Sequence, residues 1–346
     1  MSRTTLFERL GAVRPLQRFA VVFNTLDGIL FGTRALTPGA PHILDHIEIK
    51  RYMALVIVAL LPSTVSAIVY FGWHAVAMII TSYICGGIVE VAFAVIRKKD
   101  IEEGFLVTGL IFPLVLPPTT PLWVVAVGVA FGVFFGKEVF GGTGRNIFNP
   151  ALVGRLFVTI AFPAIISASW KAPFIDAISS ATPLNLVRTG QPLPPITDLL
   201  FGLTPGSMGE LFRIGVIAGG LLLIFTRVSN WRIPLAYLAT VAVFSALGNA
   251  ADPAKIAPPQ IQLLTGGLLF GAFFMATDPV TSPVTSTGKF VAGILMGVIT
   301  VLIRSFSGYS EGVMFSIILM NTFTPLIDHV VLGAMYGPVK GQSHER

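Results

Sequence analysis

A glycine-rich segment at residues 136–150 has the composition of a ligand-binding loop. It contains four glycines and two asparagines, Asn146 and Asn149, which are three positions apart. Glycine lets a backbone approach a planar or anionic ligand closely. The side-chain amides offer both donors and acceptors of hydrogen bonds, which suits the edge of a flavin ring. A tight turn followed by a helix cap has the same composition, so the residues alone leave both interpretations open.

Two further polar segments interrupt apolar sequence. Residues 176–184 form a polar turn, in which the Thr182 hydroxyl could be esterified, as could many other hydroxyls. Residues 274–283 combine small polar residues with two prolines, Pro279 and Pro283. Such a break leaves backbone carbonyls free to line a cavity or to coordinate a cation. The alternative is a turn that only ends a helix.

Three charged residues fall within or beside apolar segments. Glu90 and Asp328 are the clearest intramembrane acids, and an acid at that depth is costly unless it is paired or solvated. Both are therefore candidates for an ion path, the alternatives being a structural hydrogen bond or a misplaced segment edge. Arg155 lies near a segment start, where it could pair with a cofactor phosphate or a lipid, or extend to the membrane surface.

The composition indicates which kind of protein carries these residues. The chain has 346 residues, of which 54% are hydrophobic and 12% are charged. A soluble domain carries about twice that charged fraction, and a disordered chain lacks this hydrophobicity. The single cysteine excludes a disulfide scaffold, a Cys-ligated iron–sulfur cluster and a Cys-based zinc site within the chain. The sequence therefore predicts an all-α polytopic membrane protein, and we read the net charge of +6 as a topology signal and expect no nucleic-acid partner.

Apolar runs predict about ten transmembrane helices. They cover approximately residues 52–71, 75–96, 104–117, 121–138, 150–168, 211–228, 233–249, 262–276, 287–304 and 314–335. The third and eighth are short and end in turns rich in proline and threonine. With 35 glycines and 24 prolines in the chain, we expect short or broken helices at these places.

The basic residues predict the orientation. If the chain alternates across the membrane, most Lys and Arg fall on the side of the N-terminus, so both termini are expected in the cytoplasm. Residues 1–51 would then be a cytoplasmic segment with an interfacial helix near residues 15–31. A single transmembrane domain would span residues 52–335, with an outside loop at 169–210, and residues 336–346 would form a cytoplasmic tail.

A faint internal repeat predicts two inverted five-helix halves, at about residues 52–168 and 211–335. Thr108-Gly109 is followed by a Pro/Thr turn, a glycine-rich span and Asn149-Pro150. Thr265-Gly266 is followed by a similar turn, a glycine-rich span and the segment 321–325. Inverted halves are typical of transport folds. Chance similarity between apolar segments rich in glycine and proline is the alternative.

The three polar segments, taken in this order, resemble a known family. It comprises the B subunits of Na⁺-translocating NADH:quinone reductases (Nqr) and their paralogues, the D subunits of Rnf complexes. The resemblance covers nearly the whole chain, from His42 to Asp328. The sequence GKEVFGGTGRNIFNPALVGR at residues 136–155 is more similar to the Nqr branch than to the Rnf branch.

The resemblance implies a urea-channel-like fold and a covalently bound FMN. In the family, FMN is joined through its phosphate to a threonine in a motif of the form D-G-x-S-G-A-T. The matching positions here are Asp176, Ser179, Ala181 and Thr182, whereas Ala177 and Ser180 replace the two glycines. The outside position predicted for Thr182 agrees with a flavin transferase that acts on that side of the membrane. Arg155 is the candidate partner of the FMN phosphate.

The resemblance also implies the remaining cofactors, ions and partners. Riboflavin would bind near the cytoplasmic face at Asn146 and Asn149, and quinone would be reduced near Gly86 and Gly87. Glu90 and Asp328 match acids that the family associates with ion uptake, with Na⁺ as the expected ion. The chain would act within the lipid bilayer of a bacterial inner membrane, with other membrane and flavoprotein subunits, and a soluble partner would oxidise NADH.

Three alternatives stay open at this point, and one is a scaffold subunit in which the altered motif around Thr182 is not modified. An Rnf-type subunit, coupled to ferredoxin and NAD⁺, is favoured slightly by the compact length of the chain, whereas the sequence of the glycine-rich loop argues against it. A solute channel without redox cofactors could be built on the same fold, and it predicts a colourless protein.

Overall fold

The computed structural model describes residues 49–98, 104–174, 181–253, 255–309 and 311–337. These residues form helices and connecting loops, without a β-strand among them. The predicted interfacial helix near residues 15–31, most of the predicted tail, and Asp176 and Ser179 lie outside the described residues.

Fourteen α-helices occur in the described ranges. They are α1 (Ile49–Phe71), α2 (Trp73–Arg97), α3 (Gly104–Leu114), α4 (Leu122–Gly136), α5 (Pro150–Ala161), α6 (Pro163–Ala168), α7 (Pro183–Arg188), α8 (Ile196–Phe201), α9 (Arg213–Phe225), α10 (Arg232–Ala251), α11 (Pro259–Leu264), α12 (Leu268–Phe270), α13 (Ser286–Phe306) and α14 (Val313–Tyr336). A 3₁₀ turn, Glu138–Phe140, follows α4, and α12 continues as the π-helical turn Gly271–Met275.

Among the described residues, six helices are long and apolar enough to cross a membrane: α1, α2, α4, α10, α13 and α14. They coincide with the first, second, fourth, seventh, ninth and tenth predicted segments. The chain is thus a multi-pass membrane protein, as its composition predicts. The third predicted segment is the short helix α3, and the eighth is broken into α11 and α12, as expected.

Two other segments depart from the predicted continuous spans. The fifth is divided into α5 and α6 at Phe162 and Pro163, because proline lacks the N–H that would continue the helix. The sixth is the 13-residue helix α9, preceded by an irregular stretch at residues 202–212.

The break between α11 and α12 needs a positive φ of 65° at Gly266, which glycine adopts without strain.

Hydrogen bonds fix which helix ends lie together. The Tyr52 hydroxyl, at the start of α1, donates to Val228 O just after α9, at 2.5 Å. The Tyr70 hydroxyl, at the end of α1, donates to Phe201 O, which precedes α9, at 2.6 Å. Helices α1 and α9 are therefore antiparallel. We call the end of the bundle that contains residues 52, 137–149 and 278–285 the Asn149 end, and the end that contains residues 70, 182–201 and 307–309 the Thr182 end.

The packing of the helices follows the same order in both halves. In the first half, α2 packs against α3 and α4, and α4 packs against α5. In the second, α10 packs against α11 and α13, and α13 packs against α14. Between the halves, the equivalent pairs α1–α9 and α5–α14 are in contact. The same order of contacts thus occurs in both halves, and their inverted relation stays a prediction.

Close contact between α4 and α5 depends on the absence of side chains. A Cβ on Gly132 would lie 2.5 Å from the carbonyl oxygen of Pro150, and one on Gly154 would lie 2.6 Å from the carbonyl oxygen of Gly128. Backbone atoms cannot move aside as a flexible side chain can. The glycines thus let the start of α5, and with it Asn149, approach α4 closely.

We expect Gly132→Ala to lower the thermal stability of the protein, by about 1–3 kcal/mol in free energy of unfolding, because the added methyl overpacks this crossing. Gly333→Ala is the matched control, since a Cβ there meets no atom within 4 Å. The measurement is the midpoint of thermal unfolding of each detergent-solubilised variant, monitored by size-exclusion chromatography. Equal midpoints for the two variants would contradict this account of the crossing.

Candidate functional site

A cavity at the Asn149 end brings together both halves of the chain. Its polar wall is formed by Tyr52, Thr108, Lys137, Thr143, Asn146, Asn149, Ser229, Thr277 and Asp278. Its apolar wall includes Met53, Val56, Val107, Ile111, Leu223, Phe273 and Phe274. An apolar chamber with a few convergent polar groups is typical of a cofactor or substrate site.

The glycine-rich loop forms one side of this cavity. Gly141, Gly142 and Gly144 have φ values of 117°, 102° and 85°, in the region that favours glycine. The Asn146 side chain holds the loop, because its Oδ1 accepts from the Gly144 N–H at 3.2 Å and its Nδ2 donates to Phe148 O at 3.0 Å. Asn146 is buried and lines the cavity, as the ligand-binding interpretation requires, while also shaping the turn.

Asn149 serves as a helix cap and as a link between the halves. Its Oδ1 accepts from the N–H groups of Ala151 and Leu152, at 3.1 and 3.3 Å, and so caps α5. Its Nδ2 donates to Asp278 Oδ2 at 3.1 Å, across the cavity. The helix-cap interpretation is therefore realised, and the same side chain also faces the cavity.

Asp278 follows the π-helical turn of the second half. Its Oδ1 accepts from the Val280 N–H at 3.0 Å, so neutral donors bind both carboxylate oxygens. Within the described residues, no basic side chain lies at ion-pair distance from it. The break at residues 274–283 thus lines a cavity, one of the two outcomes that the sequence allowed.

Glu90 lies beside this cavity in a buried ion pair. Its Oε1 is 2.5 Å from the Nζ of Lys137, and the two side chains are 4% and 3% exposed. Glu90 and Gly86 are both buried on one face of α2. The prediction of a genuinely intramembrane acid is consistent with this burial, and Lys137 is a partner that the sequence did not reveal.

Gly86 and Gly87 lie where α2 meets α3. A Cβ on Gly86 would lie 2.7 Å from Phe105 Cε2, whereas one on Gly87 would lie at an ordinary 3.5 Å from Phe105 Cε1. The small residue at Gly86 is therefore required by packing. Their predicted connection with quinone stays a prediction.

Asp328 joins α14 to the start of α13. Its carboxylate accepts from the N–H groups of Val284 and Thr285, at 2.8 and 3.0 Å, and from the Thr285 hydroxyl at 2.5 Å. Thr285 in turn caps α13 by accepting from the Gly288 N–H at 3.1 Å. These are the structural hydrogen bonds that the sequence left open as the alternative, and the predicted role in ion transport stays a prediction.

Thr182 lies at the opposite end of the bundle, directly before α7. It is half-buried, and its side chain makes no capping hydrogen bond to the helix. Ala181 is exposed. One turn later, Asn185 lines a second cavity with Trp170, Tyr309 and Arg155.

Arg155 is buried in α5 and belongs to a charged cluster with Glu210, Glu311 and Arg304. Arg304 donates to Glu311 at 3.1 Å and to the carbonyl oxygens of Gln262 and Thr265. A Cβ on Gly267 would lie 3.2 Å from Glu210 Oε2 and 3.6 Å from Arg155 Nη1, so the cluster surrounds the break between α11 and α12. Extension of Arg155 to a membrane surface is not observed.

The two acids of this cluster differ in their pKa. Burial raises the pKa of Glu210, and the charge of Glu311 raises it further, against the opposing effect of Arg155. Burial also acts to raise the pKa of Glu311, but Arg304, Arg155 and two backbone N–H groups outweigh it and lower the pKa overall. The cluster thus favours a charged Glu311 beside a Glu210 that is easier to protonate.

Comparison with known proteins agrees with this architecture. The model of the NQR2, RnfD, RnfE family matches residues 36–337. The chain belongs to this family. Its relatives include proteins named as the B subunit of Na⁺-translocating NADH-quinone reductase from Yersinia pestis, at 35% identity, and from Pseudomonas aeruginosa (strain LESB58), at 36%, each over 92% of this chain and 93% of the relative. A third, with the same name, from Pseudomonas paraeruginosa (strain DSM 24068 / PA7), is 44% identical over 74% of this chain and 66% of the relative.

In this member of the NQR2, RnfD, RnfE family, sequence reasoning missed several buried charged groups. Lys137 and Glu210 lie at or beyond segment ends, where charged residues usually contact solvent. Glu311 and Arg304 are likewise close to a loop. A polar loop that folds back between half-helices buries such groups. The short length of the third and eighth predicted segments was the feature of the sequence that could have indicated such a loop.

We expect Asn149→Asp to destabilise the protein by about 1–3 kcal/mol, although aspartate is as good an N-cap as asparagine. The change replaces an amide donor with a carboxylate that faces Asp278. Adding Asp278→Asn restores a donor and an acceptor in reversed positions, so the double variant should regain most of the stability. Thermal unfolding midpoints test this, and a double variant no more stable than Asn149→Asp would contradict the link between the halves.

Proposed function

We propose that the chain is the membrane subunit of a respiratory Na⁺-translocating NADH:quinone reductase in a bacterial inner membrane, with both termini in the cytoplasm. It would carry flavins, pass electrons to quinone and couple this to ion transport. The observation that carries the proposal is the similarity, over 92% of the chain, to proteins named as the B subunit of that enzyme. Two cavities at opposite ends, connected by one helical bundle, support it.

Thr182 is the proposed attachment point of a covalent FMN. The residue fits because its hydroxyl makes no capping bond, is partly exposed and stands one turn from a cavity. Asn185, Trp170 and Arg155 would hold the group there, with Arg155 facing the phosphate. Asp176, Ser179 and Ala181 would contribute to recognition by a flavin transferase.

The cavity at the Asn149 end is the proposed site of riboflavin. Buried amides at Asn146 and Asn149 can exchange hydrogen bonds with the polar edge of a flavin, and Phe273, Phe274 and Ile111 can exclude water from its ring. Flavins supply one- and two-electron transfer, whereas the protein supplies binding, orientation and electrostatics.

Quinone and ion sites are proposed at the same end. Gly86 and Gly87 border the contact of α2 with α3 and mark the quinone region. Glu90 and Asp328 are the proposed ion-path residues, and Asp278, which faces the cavity, is added to them. The other membrane and flavoprotein subunits, including the one that oxidises NADH, would be separate chains.

Modification of Thr182 is tested by intact-protein mass, on protein expressed with its flavin transferase. We expect the wild type to gain the mass of one FMN phosphoester and to fluoresce on a denaturing gel. Thr182→Ala should lose both signals, because no hydroxyl is present. Thr182→Ser keeps a hydroxyl at the same place and controls for altered folding of the loop.

An unmodified wild type would contradict the covalent flavin and favour a channel without redox cofactors on the same fold. A modified protein that exchanges electrons with ferredoxin rather than quinone would instead indicate an Rnf-type subunit.

Ion coupling is tested by Glu90→Ala and Asp328→Ala in the assembled complex. We expect each variant to raise the Na⁺ concentration that gives half-maximal quinone reduction, because a carboxylate ligand is lost. Asp198→Ala, at a partly exposed α8 residue, is the control. Unchanged Na⁺ dependence in both variants would show that the ion path lies elsewhere.

A further inference from the structure

Lys137 occupies an unusual position for a lysine. Helix α4 ends at Gly136, and Lys137 follows as its C-terminal cap, yet its side chain is only 3% exposed. Its Nζ lies 2.5 Å from Glu90 Oε1, on the neighbouring helix α2. Lysine is almost never fully buried unless it is paired, so the burial of Lys137 depends on its contact with Glu90.

A nearby pair shows the contrast. Arg97, near the end of α2, binds Glu138 at 3.0 Å, but its side chain is 28% exposed. That pair lies at the rim of the bundle, where water contributes to the stabilisation of charge. The Glu90 and Lys137 side chains are shielded from water, so protein groups must compensate each charge. The oppositely charged partner in the pair does this.

The ammonium group supplies what a bound monovalent cation would supply. It carries one positive charge and places it against a carboxylate of a membrane-spanning helix. A Na⁺ ion that binds this carboxylate while Lys137 stays in place would add a second positive charge beside the ammonium, which a low-dielectric medium disfavours. The two cations are therefore competitors for Glu90.

The ammonium group of Lys137 also has a second polar region within reach. Lys137 is among the residues that line the cavity at the Asn149 end, together with Asn146, Asn149 and Asp278. The Asp278 carboxylate accepts hydrogen bonds from neutral donors there. Since Lys137 lies beyond the last residue of α4 and has a flexible four-carbon stem, its ammonium can turn from Glu90 toward this cavity.

We propose that Lys137 is a tethered counter-cation, which holds Glu90 in the absence of a transported cation and which a monovalent metal cation displaces into the cavity at the Asn149 end. The inference rests on the proposed function of the chain in Na⁺ transport, and it names the group that regulates entry to that path. Displacement brings a positive charge to the cavity wall. By linkage, cation binding at Glu90 and negative charge in the cavity favour each other.

The test is a Na⁺ titration of quinone reduction by the intact complex carrying Lys137→Met, at pH 8 and constant ionic strength. Removing the competitor should lower the half-maximal Na⁺ concentration by roughly three- to tenfold, equivalent to about 0.7–1.4 kcal/mol. Arg97→Gln, which removes the rim pair only, is the matched control and should leave the value unchanged. Lys137→Arg, which keeps a permanent charge at the site, should not lower it.

A second readout does not depend on turnover. The thermal midpoint of each complex is compared in NaCl and in choline chloride. Na⁺ should stabilise Lys137→Met more than the wild type, and this gain should disappear when Glu90→Gln is added. If Lys137→Met impairs assembly, Lys137→Gln, which keeps a polar contact with Glu90, is measured in the same two assays.

An unchanged or raised half-maximal Na⁺ concentration, in a variant with normal flavin content, would overturn the proposal and leave Lys137 a structural partner of Glu90. Failure of the proposed function is separate, since it would appear in the wild type as missing flavin or as turnover that does not respond to Na⁺.

Discussion

A carboxylate inside an apolar bundle must be compensated, and the architecture of this protein follows from how each such acid meets that requirement. Glu90 is paired with Lys137, Glu311 is paired with Arg304, and Asp278 accepts hydrogen bonds from neutral donors. Each of these solutions draws on a partner from another element of the fold. Compensation of these charges therefore connects different helices, and the hydrogen bond from Asn149 to Asp278 connects the two halves.

Broken helices make these partnerships possible. A continuous span would satisfy its own backbone and present only side chains to its neighbours. The interruption at Thr265–Gly267 instead exposes a carbonyl oxygen to Arg304 and an N–H to Glu311, while the turn after Met275 brings Asp278 to the cavity. The polar groups thus lie at two depths, one near each end of the bundle.

The sequence predicted the positions of the helices well and the nature of the candidate site in part. The six long helices coincide with predicted segments, and Asn146 and Asn149 line a cavity. The division of the fifth segment at Pro163 and the shortness of α9 were not predicted, because mean hydropathy is insensitive to a local break. Asp328 was predicted as an intramembrane acid, but the hydrogen bonds that it accepts from Thr285 could not be foreseen across 43 positions.

The sequence by itself determined the class of the protein, its apolar segments and its family, because hydropathy is a local property and an ordered set of motifs is a linear one. Only the tertiary structure decided which polar groups meet. Lys137 and Glu90 are 47 positions apart, and Asn149 and Asp278 are 129 apart. No periodicity connects such residues. Their contacts depend on the packing of α2 against α4, on the glycine-lined approach of α4 to α5 and on the contact between the two halves, which are properties of the folded chain.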